Sequence, residues 1–155
     1  MTVTYERIAT ASSSGSSVIT FSSIPSTYTD LRFIFVGGVG GGITSMRYNG
    51  DTGSNYHSIL AWGQGSSAVT SRYAFSYTFV IPPGGSEQIQ QRIDINDYSN
   101  NTTYKTSMSR VDVLSTSTTF GIQLWKSAAI VNSVSLVNSG TYNSYVVTLY
   151  GIKKE

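Results

Sequence analysis

The chain has 155 residues, a formal net charge of +2 and only 12% charged residues, about half the usual share. Its arginines are scattered, with no basic run and no basic helical face, which argues against nucleic acid as a partner. It has no cysteine, no apolar run approaching the ~18 residues of a membrane helix, and no charged-then-apolar leader at its start. The expectations are therefore no disulfide framework, no thiolate metal site, no membrane segment and no signal peptide, with synthesis in a cytoplasm.

Ser and Thr make up more than a quarter of the chain. The apolar residues are largely Val, Ile, Leu, Tyr and Phe in short runs, which suits packed strands better than disorder. Thr4–Thr10 alternates loosely and predicts a first strand, and Val18–Phe21 a second. Pro25 removes a backbone donor and marks a connection. Leu31–Val36 is nearly all apolar, predicting a central strand covered on both faces. The glycines from Gly37 to Gly42 end it in a mobile surface loop, and Ser45–Tyr48 is the next strand.

Five turn formers follow at Asn49–Gly53, with Gly50 and Gly53 each able to take positive φ. Ile59–Trp62 predicts a strand. Tyr73, Phe75, Tyr77 and Phe79 recur at period two within a strand from Tyr73 to Ile81, closed by Pro82–Gly85. Gln88–Asp97 is a cleanly amphipathic strand. Tyr104–Leu114 is another, with a phase slip between Met108 and Val111 that predicts a bulge near Ser109–Arg110. Phe120, Ile122 and Leu124 alternate, and Val131–Val137 and Tyr145–Ile152 complete the set. About ten strands at regular spacing, with no helical periodicity, predict an all-β fold. The expected form is a two-sheet antiparallel β-sandwich, jelly-roll-like, as a single domain over residues 1–155.

No catalytic constellation emerges. Asp51 with Asn49 and Asn55 offers one carboxylate where calcium wants six to eight oxygens, so an Asx-stabilised turn is the better reading. His57 is the only histidine and has no evident partner for base catalysis. Asp94, Asp97 and Asp112 lack the defined cleft spacing of a glycosidase pair, and the glycine run lacks the Lys-Ser/Thr and helix of a phosphate-binding loop. The expectation is a protein that is not an enzyme and takes no cofactor or metal. The stripe from Tyr73 to Phe79 reads as core. Tyr48, Tyr56, Tyr98, Tyr104 and Tyr142, in or beside turns, suit an interface or stacking surface as well as a core.

Two stretches, Phe21–Leu31 and Met46–Tyr56, with the ending Val147–Lys153, resemble small virion proteins of tailed bacteriophages, especially phages of aquatic bacteria. The resemblance implies a jelly-roll-type sandwich in an assembled, trimeric virion component, and it supplies no catalytic residues. It fits two roles. One is a capsid decoration (cement) protein on the virion surface, binding the phage major capsid protein and further copies of itself. The other is a tail-fibre or receptor-binding domain gripping host glycans. Decoration is favoured by a single compact domain that starts at its own Met1, without a stalk or attachment segment, and by low charge content. The expected contact residues are Tyr5, Arg7, Gly38, Gly40, Gly41, Gly42, Tyr56 and His57, and under the glycan reading Tyr56 and Trp62 would stack on sugar. Deleting Gly38–Gly42 is expected to spare the fold and weaken attachment.

Overall fold

A computed structural model describes residues 3–75, 78–81, 88–113 and 117–154. They form strands β1 (Val3–Ser13), β2 (Val18–Phe21), β3 (Asp30–Val39), β4 (Thr44–Tyr48), β5 (Tyr56–Gln64) and β6 (Ser67–Phe75). These are followed by β7 (Thr78–Ile81), β8 (Gln88–Asn96), β9 (Lys105–Val113), β10 (Ser117–Trp125), β11 (Val134–Asn138) and β12 (Tyr142–Lys154). One sheet has the order β1-β12-β3-β8-β9-β10-β5-β6 and the other β2-β11-β4-β7, with every pairing antiparallel.

The order explains the architecture. Strands β1-β12-β3-β8 and β2-β11-β4-β7 are the two four-stranded sheets of a jelly roll, in which the chain alternates between sheets so that neighbours in space are distant in sequence. Two hairpins are added to that frame. The β5–β6 hairpin lies between β4 and β7, and β9–β10 between β8 and β11; β10 pairs with β5, so together they extend the first sheet to eight strands. The fold is thus the expected all-β, two-sheet antiparallel sandwich, with a lateral wing of four strands. Within it, β7 packs across β9, β10 and β5.

The core of the jelly-roll half follows from period-two alternation. Leu31, Phe33 and Phe35 on β3, Ile93 and Ile95 on β8, and Val147 and Leu149 on β12 point inward. They meet Ile19, Phe21, Met46 and Leu136 of the smaller sheet, all buried. Phe21 and Phe33 pack edge to face with ring centres 5.5 Å apart.

Several expectations need correcting. β3 is central, but its second face is open: Arg32 and Ile34 are half-buried and Val36 is exposed. It also runs through Gly37 and Gly38 to Val39 instead of stopping at Val36. The Tyr73–Phe79 stripe is not one strand, because β6 and β7 belong to different sheets; Tyr77 lies outside the described residues. Strand β9 has no bulge, since its register against β8 and β10 is unbroken. The slip in its pattern has another origin: Lys105, Ser107 and Ser109 face inward with Val111, and Met108 faces out.

Candidate functional site

The Asn49–Gly53 turn is built by its backbone. Asn49 and Gly50 adopt φ of 51° and 68°, and Asp51 N–H donates to the Tyr48 carbonyl at 2.9 Å. Positive φ at both central residues is the geometry that Asn-Gly supplies most readily. It falls on Asn49 and Gly50, not on Gly50 and Gly53 as the sequence suggested. The turn carries the chain from the smaller sheet into β5 of the larger. The Asp51 carboxylate accepts from Gly53 N–H at 2.7 Å, Asn55 Nδ2 at 2.9 Å and Trp125 Nε1 at 2.7 Å. Partial burial pulls its pKa up, but these donors outweigh that and hold it below the usual carboxylate value. A carboxylate so engaged is a structural anchor, as an Asx turn requires.

Behind it, Tyr48, Tyr56 and Trp125 form an aromatic triad, with Tyr48 and Trp125 ring centres 5.2 Å apart. Tyr56 Oη accepts from Tyr48 N–H at 3.1 Å and donates to the Asp51 carbonyl at 3.1 Å. Burial pushes its pKa up to about 12. Tyr56 is fully buried, so it is unavailable to either a protein partner or a sugar, which overturns both roles expected of it. Tyr48, Tyr98 and Tyr142 are buried as well; of the five turn-associated tyrosines only Tyr104 is exposed. Tyr98 Oη donates to the Pro25 carbonyl and accepts from Tyr28 N–H, tying two connections together.

Trp62 is half-buried on the inward side of β5. It stands roughly 20 Å along the strand from Tyr56, so the two do not form a stacking pair. Gly38 is a buried strand residue, and a Cβ there would lie 3.0 Å from Gln88 Nε2. Gly40, Gly41 and Gly42 form a loop locked against residues 138–141: Gly40 N–H donates to the Thr141 carbonyl at 2.8 Å and Ile43 N–H to Ser139 Oγ at 2.9 Å. Gly42 has φ of 85° and no room for a Cβ. Deleting Gly38–Gly42 would therefore remove strand and loop packing, contrary to the expectation that the fold is spared. Tyr5 and Arg7 are exposed on β1, the outermost strand of its sheet. Tyr5 Oη accepts from Arg32 Nη1 at 2.6 Å, and that guanidinium lies 5.0 Å from the Tyr5 ring centre.

Among the described residues no three His, Asp or Glu side chains come together as a metal site. Asp94 is bound by Arg32 and Arg92, and Asp112 by Arg110. Asp112 lies four residues beyond Met108, the cross-strand partner of Asp94. At about 3.3 Å per residue the two carboxylates stand ~13 Å or more apart, beyond the ~9.5 Å limit of a glycosidase pair.

What distinguishes the molecule is the wing. On β10 the inward residues are Thr119, Gly121, Gln123 and Trp125, whereas Phe120, Ile122 and Leu124 face outward. Ile59 of β5 and Met108 of β9 flank Ile122 in register. Ile59, Met108, Phe120 and Ile122 are 43–54% exposed. Inside, a hydrogen-bond chain runs from Tyr48 Oη to Ser107 Oγ (3.1 Å), on to Gln123 Oε1 (3.0 Å), and from Gln123 Nε2 to Ser109 Oγ (2.8 Å). Lys105 is buried too, donating to the Thr103 and Ala128 carbonyls; burial lowers its pKa, opposed by Asp97. On the outer face, His57, Ile59, Arg72, Ile122, Leu124 and Lys126 line a groove of about 430 Å³. His57 is half-buried there, between Leu124 and Ala74 on the neighbouring strands.

The apolar alternation of Phe120, Ile122 and Leu124 looks like a core stripe in the sequence. The signal against that reading is Trp125, which falls in the opposite phase and takes the core position. Comparisons with protein-family models, with curated proteins and with solved structures find no match to this chain.

Proposed function

We propose that this protein is a non-enzymatic virion component, a capsid decoration protein that binds the assembled shell and stabilises its joints. The observation that carries the assembly reading is the outward apolar face of β9, β10 and β5. Contiguous exposed apolar surface of that kind marks a contact surface in a soluble protein. The resemblance of Phe21–Leu31 and Met46–Tyr56 to phage virion proteins supplies the context. A protein that binds the assembled shell and not its separated subunits stabilises the shell by mass action. The free edge of β1, with Tyr5 and Arg7 exposed, is the shell-facing element under this reading, since an unpaired edge can add a strand from a partner. The glycan-binding alternative loses its support in the burial of Tyr56 and the separation of Trp62 from it.

Gold-labelled antibody on purified particles tests the role: label over the head is expected, and label confined to the tail tip would overturn it. Tyr5→Ala with Arg7→Glu should lower occupancy on heads, and unchanged occupancy would remove β1 as the shell contact.

A further inference from the structure

The outward face of the wing is a surface that a lone chain has no physical reason to build. Burying Ser107, Ser109, Thr119 and Gln123 while exposing Phe120, Ile122, Met108 and Ile59 reverses the usual amphipathicity of a sandwich strand. Exposed apolar side chains gain roughly 25 cal/mol for each Å² removed from water, and no segment among the described residues covers them.

The registers order this face into rows. One row reads Asp94, Met108, Ile122, Ile59 and Arg72 across β8, β9, β10, β5 and β6. Three apolar side chains are thus bounded by Asp94, already paired with Arg32 and Arg92, at one end and by the Arg72 guanidinium at the other. We propose that this face binds a second copy of the same chain, face to face, about a two-fold axis running along the strands. Such an axis reverses the row while keeping it in place. Ile122 then meets Ile122 of the partner, and each Arg72 lies over the partner's Asp94. A two-fold contact needs a self-complementary patch of this kind, and sheets pack face to face at ~10 Å with nearly aligned strands.

The size fits. Each of the five strands β8, β9, β10, β5 and β6 has nine residues. At ~4.8 Å spacing and ~3.3 Å rise they present a face of roughly 700 Å², close to the ~800 Å² per partner of a stable association. The groove beside Ile122 accepts an apolar side chain from the facing sheet. The outward cations Arg72, Arg92, Arg110 and Lys126 exceed the carboxylates Asp94 and Asp112 by two (4 − 2). The two copies therefore pair against a modest net repulsion, which salt screens. An acidic foreign protein would show the opposite salt response.

The pairing rests on reading this face as an assembly surface but not on the virion context. It is tested in solution, whereas the decoration role is tested on particles. Sedimentation equilibrium of the full chain from micromolar to near-millimolar concentration should give a species of twice the 16.7 kDa chain mass. Added sodium chloride should tighten it. Ile122→Glu places two carboxylates on the axis and should weaken pairing on the order of 100-fold. Ile122 is exposed, so circular dichroism and melting temperature of that variant at low concentration should stay at the wild-type values. A single-chain mass at every concentration, a three-chain species, or a two-chain species unmoved by Ile122→Glu would each overturn the proposal.

Discussion

The two ends of the large sheet follow opposite plans. In β1-β12-β3-β8 the inward residues include Leu31, Phe33, Phe35, Ile93, Ile95, Val147 and Leu149, and the outward side mixes polar residues with the exposed pair Val36 and Val146. In β9-β10-β5 the inward residues include Ser58, Ser107, Ser109, Thr119 and Gln123, and the outward ones Ile59, Met108, Phe120 and Ile122. Both halves satisfy period-two alternation, so the difference lies in what each face meets. The jelly-roll half meets the buried apolar residues Ile19, Phe21, Met46, Val134 and Leu136 of the smaller sheet. The wing meets β7 and the Tyr48–Tyr56–Trp125 triad, whose Tyr48 Oη joins the hydrogen-bond chain through Ser107. Among the described residues Ser58 Oγ and Thr119 Oγ1, both buried, have no hydrogen-bond partner, a cost that goes with the polar interior of the wing. Apolar burial is therefore concentrated in the jelly-roll half.

The sharpest way to break this comparison is Phe33→Ala. Phe33 is fully buried against Phe21, and its loss should cost about 3–5 kcal/mol, read as a lower midpoint in urea unfolding with unchanged slope. A loss under 1 kcal/mol would mean that the dry half is not the principal core.

The dry half was legible in the sequence because its apolar periodicity and its burial agree. The patterns of Val18–Phe21 and Gln88–Asp97 match β2 and β8 almost to the residue, and strand count and spacing carry the two-sheet sandwich. The wing was not legible for the same reason turned around. Phe120, Ile122 and Leu124 carry the pattern of a core stripe, and nothing local records that they face away. The four buried tyrosines read equally well as core or contact residues in the sequence because turn residues flank them, while their rings reach back between the sheets. Gly38 and Gly42 looked loose as a glycine run; they are held by strand pairing and by residues 138–141, contacts distant in sequence.

Asp51→Asn probes the junction of the two halves. The replacement amide presents a donor where Trp125 Nε1 and Asn55 Nδ2 both donate, so about 1–3 kcal/mol should be lost. The pH response carries the same information. Asp51 has a folded-state pKa below its unfolded value, so its contribution is present above the unfolded pKa and is lost as pH falls through the folded one. Melting temperature followed from neutral pH into acid should fall less steeply for Asp51→Asn than for the wild type. Parallel curves would show that the carboxylate does not act as the anchor.

Ser107→Ala tests the wet interior. Ser107 Oγ links Tyr48 Oη to Gln123 Oε1, and removing it leaves both to find other partners inside the sandwich. The expected loss is about 1–2 kcal/mol, well short of Phe33→Ala, measured by the same urea titration.

The smallest effect is expected from Ile122→Ser, and it is the most telling about the wing. Isoleucine to serine in a core removes several buried methyl groups and costs about 2–5 kcal/mol. Ile122 is 48% exposed on an outward face. At concentrations low enough to keep chains separate, the change should move stability by no more than ~0.5 kcal/mol. At high concentration the wild type gains stability from pairing, because a ligand of the native state alone adds to the unfolding free energy by mass action. The two proteins should therefore melt together when dilute and diverge when concentrated. If they diverge equally at every concentration, Ile122 belongs to the core of the single chain and the outward face needs no partner.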